Sequence, residues 1–246
     1  MRCAPKHRNM PHGACHQNPP RQHGAGEISD NEMTNMKKTF ILCLCLLTGI
    51  GASSKSMTEI WRAIPDSLIP YIDAKNRTQM VDMAKMGLKG ETDNALQGKS
   101  VMDTLTANYI HLTLNESAVI EMKMLPWQDG DSIVCVVKTW KTPQAQSTVE
   151  FYNQEWEPIA LPNAQGRLSM ATWSNLPFTR PDSMSEEEFK EMVEKFDFIL
   201  TQVRLSADNN SMTISREAPL TPADEKNKVK SVLTDITLNW NGRKFE

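Results

Sequence analysis

Beyond residue 55 the apolar positions change their period several times, and each change marks a new element. Ser56-Met57-Thr58-Glu59 has the spacing of a capping box, and Ile60, Trp61, Ile64 and Leu68 follow at helical intervals. Pro65 and Pro70 interrupt this helix, because proline lacks the N–H that the next turn needs. A second helix is predicted from about Asn76 to Met86, with Met80, Val81 and Ala84 on one face and Gly87 or Gly90 free to end it. From Thr106 the period is two. Ile110, Leu112 and Leu114 alternate with Tyr109, His111 and Thr113. After a turn at Asn115-Glu116-Ser117, Ala118, Ile120, Met122 and Met124 alternate with Val119, Glu121 and Lys123. These read as two half-buried strands of a hairpin. Asp129-Gly130 marks a turn, Ile133 to Val137 is apolar at every position as in a strand covered on both faces, and Val149 and Phe151 belong to a fourth strand.

The stretch 161–182 is irregular and punctuated by proline, which predicts a linker. Ser183-Met184-Ser185 with Glu186, Glu187 and Glu188 opens a helix whose acidic residues suit its positive end, and Phe189, Met192, Val193 and Phe196 form its apolar stripe. Leu200–Ser206 and Ser211–Ser215 predict a hairpin around Asp208-Asn209-Asn210. Thr221-Pro222 opens a short helix, and Ile236, Leu238 and Trp240 alternate into the tight-turn pair Asn241-Gly242. The expected class is α+β, helices packed on antiparallel β-sheet. Residues 55–160 form a helix-helix-four-strand unit and 183–246 a smaller α+β unit. Val149–Trp156 and Ile236–Arg243 are loosely alike, so the pattern extends to two degenerate α/β-meander halves.

The N-terminal part changes the picture of location. Lys37 and Lys38 precede the apolar run Phe40–Leu47, which gives way to Gly51, Ala52, Ser53 and Ser54. That is the layout of a secretory signal peptide over 36–54, with cleavage expected after Ala52 or Ser54. The run is too short to span a bilayer comfortably. Residues 1–35 lack apolar periodicity, and the simplest expectation is that translation starts at Met36 or that this leader is a disordered tail. A rival reading takes Cys3, His7, His12, Cys15 and His16 as zinc ligands, but their spacing fits no standard finger. Were the leader retained, the apolar run would become an internal anchor.

Charge and cysteine content narrow the classes further. The chain has 27 Lys and Arg against 30 Asp and Glu; beyond residue 54 the counts are 21 and 27, a formal charge of −6. A mildly acidic surface with no basic cluster argues against nucleic acid as partner. Past the signal there is one cysteine, Cys135, and one histidine, His111. A lone cysteine forms no internal disulfide, so a packed core must supply the stability of an exported domain.

Several strings carry a family resemblance. They are Pro65-Asp66-Ser67-Leu68-Ile69-Pro70-Tyr71, Asn76-Arg77 with Met80-Val81-Asp82, Gly98-Lys99-Ser100, Val134-Cys135-Val136-Val137, Phe151-Tyr152 with Trp156, and Leu238-Asn239-Trp240-Asn241-Gly242. In this order the chain resembles an uncharacterised family of exported proteins from Bacteroidetes, classed as a domain of unknown function. The resemblance implies a Gram-negative envelope location, periplasmic or secreted, and brings no activity, cofactor or catalytic residue. The leader before Met36 departs from the family pattern. Exported proteins of that group commonly carry O-glycans at Asp-Ser/Thr-apolar tripeptides, which makes Ser67, Thr104, Ser132 and Ser183 candidates, Ser183 best placed.

Candidate chemistry is sparse. His111 alternates with Ile110 and Leu112 and reads as an exposed strand residue; Cys135 reads as a small core hydrophobe. Gly98-Lys99-Ser100 lacks the earlier glycine of a phosphate loop, and Asp129-Gly130-Asp131 lacks the other ligands of a calcium loop, so both read as turns. Glu150, Glu155 and Glu157 are close in sequence, as a glycoside hydrolase pair would allow, though that chemistry depends on spatial separation. Trp127, Trp156 and Trp173 either cap the open ends of the sheet core or form an aromatic platform for peptide or glycan. The expected function is a non-enzymatic envelope binding or interaction module whose partner is an envelope protein, peptide or glycan, with a carboxylate-dependent hydrolase of envelope glycans as the alternative.

Overall fold

The computed structural model describes residues 55–96, 98–141, 143–161, 167–168 and 176–246. Helix α1 (Met57–Arg62) begins where the capping box places it. Ser56 Oγ accepts from the Glu59 amide at 3.3 Å, and the Glu59 carboxylate accepts from the Ser56 amide at 2.7 Å. Helix α2 (Ala74–Lys85) starts two residues earlier than the apolar spacing indicates, because Asp73 caps it by accepting from the Asn76 amide. Trp61 Nε1 donates to the Arg77 carbonyl at 3.0 Å and ties the two helices together.

The larger sheet is an antiparallel meander. Its strands are β1 (Gly90–Asp93), β2 (Lys99–Leu105), β3 (Tyr109–Asn115), β4 (Ala118–Pro126), β5 (Ser132–Trp140), β6 (Gln146–Tyr152) and β7 (Arg167–Leu168), side by side in chain order. Strands β1 and β2 were not apparent from periodicity, and the turn expected at Gly98-Lys99-Ser100 instead leads into β2. Ser100 Oγ there donates to the Leu114 carbonyl at 2.8 Å. A Cβ on Gly90 would lie 2.9 Å from the Met80 carbonyl oxygen, so glycine is what lets β1 approach α2.

Residues alternate across this sheet and feed two cores. One face carries Ile110, Leu112, Ile120, Met122, Val134 and Val136 and is covered by α1 and α2 through Met57, Ile60, Trp61, Met80 and Val81. The other carries Leu125, Ile133, Cys135, Val137, Val149 and Phe151. A second antiparallel sheet covers it, built of β8 (Leu200–Leu205), β9 (Ser211–Glu217) and β10 (Ile236–Asn239), with β9 in the middle. Helices α3 (Glu186–Glu194) and α4 (Lys226–Val232) complete the fold and share a third cluster through Met192, Val229 and Val232. Helix α4 starts later than Thr221-Pro222 indicates, since Pro222 to Glu225 form a turn ahead of it.

Strand β4 corrects the half-buried reading. Glu121 is 5% exposed and Lys123 1% exposed, so its polar face is as buried as its apolar one. The reason is that β8 lies across the larger sheet, over β6, β5 and β4. An edge strand laid on a sheet face presents backbone groups that need partners. The larger sheet supplies them from side chains. Ser147 Oγ on β6 accepts from the Val203 amide at 2.9 Å, the Glu121 carboxyl faces the Leu205 amide, and Lys123 Nζ donates to the Ala207 carbonyl at 2.9 Å. The buried polar positions of β4 and β6 therefore cap the edge of the smaller sheet.

The hairpin expected at Asn241-Gly242 is present. Gly242 has φ 94°, and Trp240 bridges to Phe245 across the turn. Trp240 stacks on Trp127 and Phe151 and donates Nε1 to the Pro126 carbonyl at 2.6 Å. Among the described residues no helix is long and apolar enough to cross a membrane.

Candidate functional site

Among the described residues the exposed large apolar side chains fall in two places: Tyr71, Met86, Leu88 and Leu96 flank α2 and β1, and Trp140, Phe198 and Leu220 lie where β8 begins, β9 ends and β5 turns into β6. Trp140, the last residue of β5, is 48% exposed; Phe198, just before β8, is 49% exposed; Leu220, after β9, is 70% exposed. Trp140, Pro143, Gln144, Gln146, Phe198 and Leu200 line a shallow cleft of about 420 Å³, together with Pro219. Apolar side chains left in water side by side are unfavourable, and a patch of this kind stands out on a folded surface.

Two further clefts, each of about 340 Å³, adjoin the first. One shares Phe198 with it and runs between Met192, Phe196 and Leu220. The other shares Gln144 and Pro219 and runs between the end of β9 and α4, where Arg216, Lys226 and Lys230 meet Glu217 and Asp235. Arg216 is buried, donates to the carbonyls of Leu176 and Pro177 at 2.8 and 3.1 Å, and lies over the Phe178 ring. Burial pushes its pKa down.

The sequence-predicted site residues go to separate places. Trp156 is buried in the helix-covered core, where Nε1 donates to the Ile60 carbonyl at 3.2 Å and the ring packs on Tyr152. Its φ of 66° is unusual for a bulky residue and is held by that packing. Trp127 packs on the opposite face of the sheet, against Trp240. The two rings therefore do not make one platform, and Trp173 lies outside the described residues. Ser67 and Ser183 are exposed in turns, whereas Thr104 and Ser132 are half-buried within β2 and β5. The Cys/His leader, the signal segment and most of the 161–182 stretch also lie outside the described residues.

The titratable groups read from the sequence have structural partners. His111 Nδ1 lies 3.0 Å from Asp103, which also accepts from the Thr113 amide and hydroxyl. Burial raises the Asp103 pKa, but these hydrogen bonds outweigh it and hold the carboxyl below its ordinary value. Burial raises Glu121, against the Tyr109 hydroxyl that donates to it at 2.7 Å. Cys135 is fully buried, and burial raises its thiol well above the ordinary value. Glu150 accepts from the Tyr152 hydroxyl and faces Lys138, Glu155 pairs with Lys55, and Glu157 accepts from Asn153. None of these carboxylates lines the three clefts.

Trp140, Phe198 and Leu220 were missed because periodicity does not mark them. Each stands just at or beyond the end of a strand, and only the crossing of β8 over the larger sheet brings them together.

The molecule is thus an α+β protein in which an antiparallel meander is sandwiched between helices and a smaller sheet. The chain belongs to the DUF3256 family, proteins of unknown function, whose pattern matches residues 50–245. It is similar in fold to a solved domain of an uncharacterized protein from Porphyromonas gingivalis W83, at 21% identity and a TM-score of 0.57, over 76% of this chain and 96% of that one. No curated protein matches the chain.

Proposed function

We propose that this chain is an exported cell-envelope protein that acts as a binding module, and that the Trp140–Phe198 face receives a polypeptide segment of an envelope partner. The observation that carries the reading is the contiguity of Trp140, Phe198 and Leu220 with three clefts at one end of the smaller sheet. Between the rings the lining is Leu200, Pro143 and Pro219, with amide side chains from Gln144 and Gln146 and no charged group. Glycan recognition calls for more converging polar groups, so a peptide fits this lining better. A carboxylate-dependent hydrolase finds less support, since Glu150, Glu155 and Glu157 are engaged elsewhere. Export is supported by the Lys37-Lys38 and Phe40–Leu47 pattern that ends in small residues.

The test is selection of a random-peptide library, in parallel with a glycan panel, on the full chain and on Trp140→Ser and Phe198→Ser variants. Selected peptides should lose about tenfold or more in affinity for either variant, as truncated anchor residues do. Binders found only among glycans, or peptides indifferent to both substitutions, would overturn the reading. For export, the native protein should begin at Ser53 or Lys55 in the soluble envelope fraction; a membrane-bound species beginning at Met1 would contradict it.

A further inference from the structure

The cleft between β9 and α4 has a charge arrangement that packing alone does not explain. Arg216 is 4% exposed, yet among the described residues no carboxylate pairs with it. Its NH1 and NH2 groups each donate one bond, to the Leu176 and Pro177 carbonyls, and Nε is buried with no hydrogen-bond partner. Arg77, the other deeply buried arginine, has the same unbonded Nε but differs in its counter-charge, since it pairs with Asp66 at 2.8 Å. A cation removed from water without a counter-charge leaves a positive potential in the space beside it.

That space is lined by Arg216 itself, by Ser215 and Thr221, and by Lys226 and Lys230, which lie one turn apart on the same side of α4. Neither lysine forms an ion pair within the described residues, whereas Lys228, between them in sequence, is engaged by Glu188 at 2.7 Å. Glu217 and Asp235 also line the cleft and set a limit on the anion it takes. Three cations against two carboxylates favour a single negative charge. A dianionic phosphate would be repelled more strongly than a carboxylate by Glu217 and Asp235.

We propose that the β9–α4 cleft is a carboxylate-binding site, and that it receives an acidic side chain or chain terminus of the polypeptide docked on the adjoining Trp140–Phe198 face. The site itself stands on Arg216, Lys226 and Lys230; only its assignment to a peptide rests on the function proposed above. The two clefts share Gln144 and Pro219, so one extended segment reaches both.

The experiment is a titration of the isotope-labelled full chain with sodium acetate against sodium chloride at matched ionic strength, followed by amide chemical shifts. Acetate should give saturable shifts at Ser215–Thr221 and Lys226–Lys230. The double variant Lys226→Gln/Lys230→Gln, both exposed and outside the core, should weaken acetate about fivefold, the weight of two exposed charge pairs. Glu217→Gln should strengthen it. These exposed variants keep the test sound even if Arg216→Met fails to fold. Absence of saturable shifts beyond those of chloride, or equal affinity in the double variant, overturns the site. A second arm compares a hexapeptide carrying Glu two residues after Phe with its Gln counterpart, and with galacturonic acid. The Glu peptide should bind tightest and lose affinity in Trp140→Ser. Acetate binding with no effect of Trp140→Ser on the peptide keeps the site and removes the peptide assignment; a Trp140-dependent peptide with no acetate binding removes the site and keeps the docking face.

Discussion

Replacing Trp240 tests whether the C-terminal hairpin is part of the core between the sheets. Trp240 is 8% exposed, stacks on Trp127 at 5.8 Å and Phe151 at 6.0 Å, meets Phe245 edge-on at 5.1 Å, and donates to the Pro126 carbonyl. A tryptophan of this kind buries about 150–250 Å², which at roughly 25 cal/mol per Å² is about 4–6 kcal/mol as an upper bound. Measured costs of truncating a buried tryptophan to alanine run to about 3–5 kcal/mol. Trp240→Ala should therefore lose about 4 kcal/mol, a large share of the roughly 5–15 kcal/mol that holds a domain together. Trp240→Phe keeps much of the stacking but orphans the Pro126 carbonyl, so about 1–2 kcal/mol is expected. Urea unfolding followed by far-ultraviolet circular dichroism reads both. In a cycle with Trp127→Ala the pair should couple by about 1 kcal/mol, since the rings touch. A Trp240→Ala loss under about 1 kcal/mol, or strict additivity with Trp127→Ala, would refute the placement of the hairpin on the larger sheet.

Three further expectations follow from single contacts. Burial raises Glu121 above its ordinary value of 4.5, so the folded state holds a proton that the unfolded state releases; stability is fullest below that value and falls as pH rises through the raised one. Glu121→Gln keeps an acceptor for Tyr109 and should remove this loss, becoming as stable as the natural chain or more so at neutral pH; urea midpoints from pH 4 to 8 that differ by a constant amount would contradict it. Gly90→Ala drives a Cβ into the Met80 carbonyl at 2.9 Å and should cost about 1–3 kcal/mol by thermal unfolding. Trp140→Ser and Phe198→Ser, on side chains already half exposed, should each change stability by less than about 0.5 kcal/mol in the same assay, which separates contact residues from core residues.

Local chemistry was legible where one residue type dictates one geometry. The Ser56–Glu59 box, the Pro65 interruption, the Asn241-Gly242 turn and the alternation in β3 all appear as the residues require. What could not be read depends on what lies opposite. Glu121 and Lys123 look solvent-facing in the pattern, and become buried only because β8 crosses them and its edge needs side-chain partners. Strands β1 and β2 carry too few apolar residues to announce themselves, since β1 fits against α2 by having no side chain at Gly90. The α+β class was legible for the same local reasons. The exposed aromatic face was not, because Trp140 and Phe198 are 58 residues apart in sequence and meet only through the folded topology. Of the tryptophans singled out instead, Trp127 and Trp156 pack on opposite faces of the sheet, and Trp156 finds the Ile60 carbonyl for its indole N–H.

The central claim, that the Trp140–Phe198 face docks a polypeptide, is tested most directly by mapping where a library-selected peptide binds. Amide shifts of the labelled full chain titrated with that peptide should move and saturate at Trp140, Gln144, Gln146, Phe198, Leu200 and Leu220. Shifts confined to the helix-covered face around Trp61 and Trp156, or to the Trp127–Trp240 end, would contradict it.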